Sequence, residues 1–217
     1  MGNNWLTNLL FFVAGLIIIG MSIKRAILNK KNNAKHINEA YWKREYTATF
    51  ARKKEIPDSL FIHIDFEMYP MTEDPTCQGI YHKILSFKDR PLINLKGQKN
   101  IELKERYGMM QLEELSNYEQ NYIEYMHTSC TYGKTLYAKG YFAEAQKVLE
   151  YIISLDCDLS PCFLTLATLY HTLGEDKALH QLKSLAKTNM QDSPYLHKVL
   201  QGIELQINDL HEREMLN

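Results

Sequence analysis

The sequence predicts a mainly α-helical protein with three parts: an N-terminal transmembrane helix, a small irregular middle segment and a C-terminal antiparallel helical stack. Three observations predict it. Residues 1–23 contain no charged side chain, and residues 24–54 then carry ten basic ones. Four of the six prolines fall between 56 and 110. Gly140 and Gly174 lie 34 residues apart, each behind a helix that aligns with the other. A chain of 217 residues accommodates one ordinary domain with appendages, or two small domains.

The span comes first (residues 1–28). Trp5 to Ile23 is 19 residues, about 28 Å as a helix, close to a hydrocarbon core of roughly 30 Å. Trp5 stands where an interfacial aromatic anchor belongs. A cleaved signal peptide would begin with positive charge, and none precedes the apolar run; Gly20-Met21-Ser22 keeps cleavage open as the alternative. A buried core helix would carry a polar face, and this one shows only Thr7, Asn8 and Ser22. Leu6 replaces the Ser or Thr that N-myristoylation requires.

Residues 29–55 read as a basic juxtamembrane helix. Tyr41, Trp42, Tyr46 and Phe50 recur at helical spacing. The basic excess places the C-terminal bulk in the cytoplasm of a single-pass membrane protein. Lys24, Arg25, Lys30 and Lys31 are then the charges nearest the anionic surface, each worth about 1 kcal/mol there. Alternatively they set topology alone. In that compartment Cys77, Cys130, Cys157 and Cys162 are reduced thiols.

Residues 56–110 read as an irregular α+β connector. Ile62, Ile64 and Phe66 alternate with His63 and Asp65 as in a half-buried strand. Gln78–Phe87 forms a short helix, and Ile101–Tyr107 another, closed by Gly108. His63, Asp65 and Glu67 share one strand face, a pattern able to bind metal or to move protons, but no further ligand stands at a recognisable spacing. The face reads as solvated, without catalytic residues, metal or cofactor. No Gly-rich phosphate loop, nucleophile elbow or paired-cysteine metal signature occurs.

Residues 111–217 carry the helical stack. SCTYGKTLYAKG (129–140) aligns with FLTLATLYHTLG (163–174). Gly133 and Ala167 occupy matching positions and are small, as required where a partner helix crosses. The second helices follow, with Phe142, Ala145, Leu149 and Ile152 on one stripe, and Ala178, Leu182 and Leu185 on the other. Leu112, Leu115, Tyr118, Tyr122 and Tyr125 form an apolar face leading in. Ser193-Pro194 opens a last helix whose Leu196, Val199, Leu200, Ile203 and Ile207 cover the open end.

A 34-residue period with this layout resembles the tetratricopeptide repeat (TPR) family over residues 126–190, two repeats of an α-solenoid. The usual early Trp is replaced by Ser129 and Phe163, and the closing Pro of the first repeat by Cys157. The resemblance implies a non-enzymatic scaffold whose first helices line a protein-binding groove. Carried onto this chain, that groove is His127, Cys130, Lys134 and Tyr137, with Leu164, Thr168 and His171. Only Lys134 is cationic at neutral pH, so the Lys/Asn/Arg clamp of the chaperone-type members is missing. An extended or helical protein segment is the expected partner. The alternative is a groove filled by the chain's own middle segment or tail. The other implied partner is the lipid bilayer. A net charge of -1 argues against nucleic acid. A structural or accessory subunit of a larger membrane complex is the second reading. Forty-five per cent hydrophobic residues, with 14 Tyr and 8 Phe, exclude a disordered chain, and four Cys exclude a disulfide scaffold.

Overall fold

The computed structural model describes the backbone of residues 4–216, with side chains at 21–31, 34–213 and 215. Among the described residues are eight α-helices: α1 (Asn4–Thr49), α2 (Pro75–Leu85), α3 (Asn100–Tyr107), α4 (Met109–Ala138), α5 (Phe142–Ser154), α6 (Ser160–Leu173), α7 (Asp176–Asn189) and α8 (Leu196–Leu216). The chain forms two compact units. One comprises residues 1–55 and 97–112, the other 56–96 and 113–217.

In the first unit α1 packs on α3. Ala48 is buried, and the Arg44 guanidinium donates to both carboxylate oxygens of Glu105, at 2.6 and 2.5 Å. Lys104 pairs with Glu45 beside it. Gly108 closes α3 at φ +86°, and a Cβ there would meet the Arg52 carbonyl oxygen at 2.8 Å, so only glycine fits. Among the described residues no helix is long and apolar enough to cross a membrane. The expected transmembrane segment lies, for its first twenty residues, outside the described side chains. Met21 and Ile23, at its end, are exposed.

The second unit is built on α4–α8. Connections between contacting helices are short, so α5, α6, α7 and α8 run antiparallel in succession, and α8 also contacts α6. Both glycines of the 34-residue spacing end their helices identically. Gly140 (φ +85°) donates to Tyr137 O and Tyr141 to Leu136 O; Gly174 (φ +73°) donates to His171 O and Glu175 to Tyr170 O. This is the Schellman pattern, which needs a left-handed residue that glycine supplies without Cβ strain. Helix α5 ends with the same bonds around Asp156, at φ +62°.

A Cβ on Gly133 would meet Leu149 Cδ2 at 2.7 Å, so α5 does cross there, and Ala167 is buried at the matching place in α6. Leu115, Tyr122 and Tyr125 are buried on α4, as are Val199, Ile203 and Ile207 on α8. Two stripe positions differ from expectation. Phe142 and Leu185 are exposed, while Ala145, Leu149, Ile152 and Leu182 are buried as expected and Val148, Leu179 and Ala186 are buried beside them. Helix α8 begins at Leu196, after a turn in which Ser193 Oγ accepts from Tyr195 N.

The expected strand at 60–66 is not formed, and no strand occurs among the described residues. The segment is extended, with Ile62, Ile64 and Phe66 half-buried and His63, Asp65 and Glu67 exposed, so the alternation holds. Its pairing stops at one antiparallel bridge, Phe61 with Ile93, and the bond from Ile62 N to Leu92 O. Beyond that bridge Phe66–Met68 tightens into a 3-10 turn, which takes the segment out of extended geometry. Helix α2 starts at Pro75 rather than Gln78, because Asp74 caps it through Thr76 N (2.9 Å) and Cys77 N (3.1 Å).

Candidate functional site

Helix α1 carries the first set of exposed groups. Lys24, Arg25, Lys30 and Lys31 are all exposed. Trp42, Tyr46 and Phe50 recur every fourth residue, which sets them on one face. They are 61%, 69% and 69% exposed, Phe50 lying one residue beyond the end of the helix. Tyr41 packs edge-on against Trp42 at 5.7 Å, and Tyr46 against Phe50 at 5.0 Å. The opposing face, Arg44, Glu45 and Ala48, is the one turned to α3. A helix with aromatic residues outward and lysines toward its N-terminal part can bind an apolar–polar boundary.

The seven groove candidates differ in exposure and in what they touch. His127 borders a small cleft with Ile80 and Lys83 of α2, so it faces the middle segment. Cys130 is buried beside Cys162, whose hydrogen bond to it holds the Cys130 thiol below its ordinary pKa. Burial pushes the Cys162 thiol strongly up, and its Sγ lies 3.6 Å from Cys157 Sγ. These cysteines are core thiols. Lys134 is exposed, and Tyr137 is half-buried against the Phe142 ring at 5.5 Å. Leu164 packs on Gly202 of α8, where a Cβ would come within 2.5 Å. Thr168 bonds back to the Leu164 carbonyl, and His171 Nε2 meets Asp209 Oδ2 of α8 at 2.6 Å. Lys134 and His127 are therefore the two of the seven that are exposed.

The middle segment docks on α4 and α5 through a buried tyrosine cluster, which sequence reasoning missed. Tyr69 Oη lies 2.5 Å from Tyr125 Oη and 2.9 Å from Ser129 Oγ. Tyr132 donates to the Pro70 carbonyl, and Tyr151 Oη accepts from Asp65 N at 2.6 Å. Burial raises the hydroxyl pKa of Tyr69, Tyr125 and Tyr132, so all three stay neutral donors and acceptors at physiological pH. Lys139 Nζ reaches Asp74 at 2.8 Å and holds its carboxyl down at about 2. The only sequence signal for this docking was tyrosine abundance, which names no partner.

His63, Asp65 and Glu67 stay exposed, and Asp65 Oδ1 is engaged in capping Glu67 N at 2.9 Å. His63 borders an open cleft of about 690 Å³ with Phe61, Phe87, Lys88 and Arg90. The cleft mixes apolar side chains with both signs of charge, and Arg90 lies over the Phe87 ring and 3.7 Å from Glu124. Such a cleft can hold a side chain of a partner. It presents no nucleophile with an oriented base.

No protein-family model, no curated protein and no solved structure matches the chain.

Proposed function

We propose that this chain is a single-pass membrane-anchored, TPR-like scaffold that holds a protein partner on the cytoplasmic side and performs no catalysis itself. The observation that carries this reading is the recurrence, after 34 residues, of one helical hairpin with the same glycine-closed end and a buried small residue, Gly133 then Ala167, at the matching position. Stacks of such hairpins expose a wide surface relative to their core and work by presenting it. Anchoring is supported by the uncharged run before Lys24, by the basic residues behind it and by the outward aromatic face of α1. Those three features follow one another along the chain in the order span, charged boundary, interfacial aromatics.

The test has two arms. Membrane fractionation should leave the full chain in the pellet after high salt and alkaline carbonate. Release by either wash overturns the anchor. A photo-crosslinking residue at position 134, where Lys134 is exposed, should capture one specific protein in cells. The same residue at position 150 on α5 should not.

A specific observation favours a second reading, an accessory subunit buried in a larger membrane complex. Leu164 and His171 are already covered by α8, and His127 faces α2, so much of the groove expected from the repeat is filled by this chain. Co-purification at fixed stoichiometry, with loss of the complex when residues 111–217 are deleted, distinguishes it from a reversible adaptor.

A further inference from the structure

Helices α7 and α8 bring together three groups that the scaffold reading does not use. Asp176 stands in the first turn of α7 and His180 one turn later, on the same face. His211 comes from the distal part of α8. Asp176 Oδ1 lies 3.0 Å from His211 Nε2 and 3.7 Å from His180 Nε2. One donor atom from each of the three residues falls within 4.8 Å of the other two. The two imidazoles sit with ring centroids 6.4 Å apart.

We infer that Asp176, His180 and His211 form a binding site for a divalent transition-metal ion of the zinc class. Zinc takes imidazole nitrogen and carboxylate oxygen at about 2.0–2.2 Å, so tetrahedral neighbours in its shell stand roughly 3.4 Å apart. The observed 3.0 and 3.7 Å separations bracket that value. Asp176 Oδ1 supplies an independent sign. It is shielded from solvent and accepts no hydrogen bond, although an imidazole nitrogen lies 3.0 Å away. An N–H aimed at the carboxylate would have satisfied it. Donor atoms that crowd together without pointing at one another are what a shared central ion requires, since each lone pair then points to the centre. Two imidazoles and one carboxylate suit zinc over calcium or magnesium, which take oxygen shells. Three protein donors leave a fourth tetrahedral position, which water fills.

The site would fasten the helix that closes the stack. Nearby, His171 and Arg213 both pair with Asp209, at 2.6 and 2.9 Å, and Lys183 pairs with Glu204, so this side of α8 is held by polar contacts to α6 and α7. A metal ion that binds the folded arrangement and not the unfolded chain adds its binding free energy to the fold.

The experiment uses the full chain, purified in detergent without a histidine tag and stripped with a chelator. Zn²⁺ is titrated against a chromophoric competitor, and Co²⁺ is used as the spectroscopic probe. Saturable binding of roughly one ion per chain and a tetrahedral Co²⁺ d–d spectrum are expected. His180→Ala, His211→Ala and Asp176→Asn should each lose that binding. His197→Ala, an exposed histidine of α8 outside the cluster, should keep it. Zn²⁺ should raise the thermal midpoint of the wild-type chain and leave that of His211→Ala unmoved, with matching circular dichroism showing that both are folded. Binding that survives the three cluster substitutions overturns the site. So does a thiolate charge-transfer band in the Co²⁺ spectrum, which would place the ion on Cys130, Cys157 and Cys162 instead. Absence of saturable binding leaves the cluster as an ordinary surface ion pair and also overturns it.

Discussion

The helical stack and helix α1 place their aromatic residues in opposite ways. Tyr125, Tyr132 and Phe163 are fully buried in the stack, and Tyr41, Trp42 and Tyr46 of α1 and Phe50 just after it stand at least half exposed. Removing a large side chain from water is worth roughly 2–3 kcal/mol. The stack realises that gain within the chain. The face of α1 does not, and the proposed anchor would realise it against lipid instead. The largest expected effect tests this contrast. Phe163→Ala should cost about 3–5 kcal/mol of stability. On α1 the same truncation should be nearly silent: Trp42→Ala should stay within about 0.5 kcal/mol. Chemical denaturation of both variants, followed by circular dichroism, checks the pair. Comparable losses would break the comparison and mean that the face of α1 is covered in the folded protein.

A middle-sized effect concerns how the 56–96 segment is held. Tyr69→Phe leaves the ring in place but removes a hydroxyl shared between Tyr125 and Ser129. Two buried hydroxyls then lose a partner, at about 1–3 kcal/mol. Limited proteolysis should cut residues 56–96 faster in this variant, with α5–α8 still protected. Unchanged cleavage would show that apolar contacts alone hold the segment.

The stack was legible in the sequence because its constraints are local and repeated. Gly140 and Gly174 report a helix end that needs positive φ, and Gly133 reports a close crossing. Such requirements act on a single residue type, so composition at one position reveals them. The docking of Tyr69 between Tyr125 and Tyr132 was not legible, because each tyrosine reads as core in isolation and the pairing spans more than fifty residues. The Asp176–His180 spacing was visible on paper, but His211 joins it only through the packing of α8 on α7. The segment 60–66 shows what alternation leaves out: it reports burial correctly, but a strand also needs a partner, and pairing here stops at one bridge, Phe61 with Ile93.

The repeated helix ends allow a finer test. Gly140→Ala and Gly174→Ala should each cost about 1 kcal/mol, because both force a Cβ into the left-handed region. Near-equal losses in denaturant midpoints would support equivalent repeats. Asp156→Gly should act in the opposite direction, a gain of up to about 1 kcal/mol, since relief of the left-handed strain at the end of α5 exceeds glycine's extra entropy cost. A loss there would mean that the aspartate side chain is needed in that turn.

The smallest effect is a pH dependence that separates a cap from a simple ion pair. Asp74 has a carboxyl pKa lowered from 3.8 to about 2, first by Lys139 and then by the Cys77 and Thr76 amides. A carboxyl whose folded pKa is depressed adds stability above its unfolded value and loses it as pH falls toward the folded one. The contribution is therefore whole at neutral pH and disappears between about 4 and 2. Asp74→Asn should flatten the stability profile in that window. Lys139→Met should flatten it only in part, because the amide bonds to Thr76 and Cys77 remain to favour the charged carboxylate. If Lys139→Met flattened the profile completely, the capping bonds would carry none of the shift, and the start of α2 would rest on Pro75 and the burial of Cys77 and Ile84 alone.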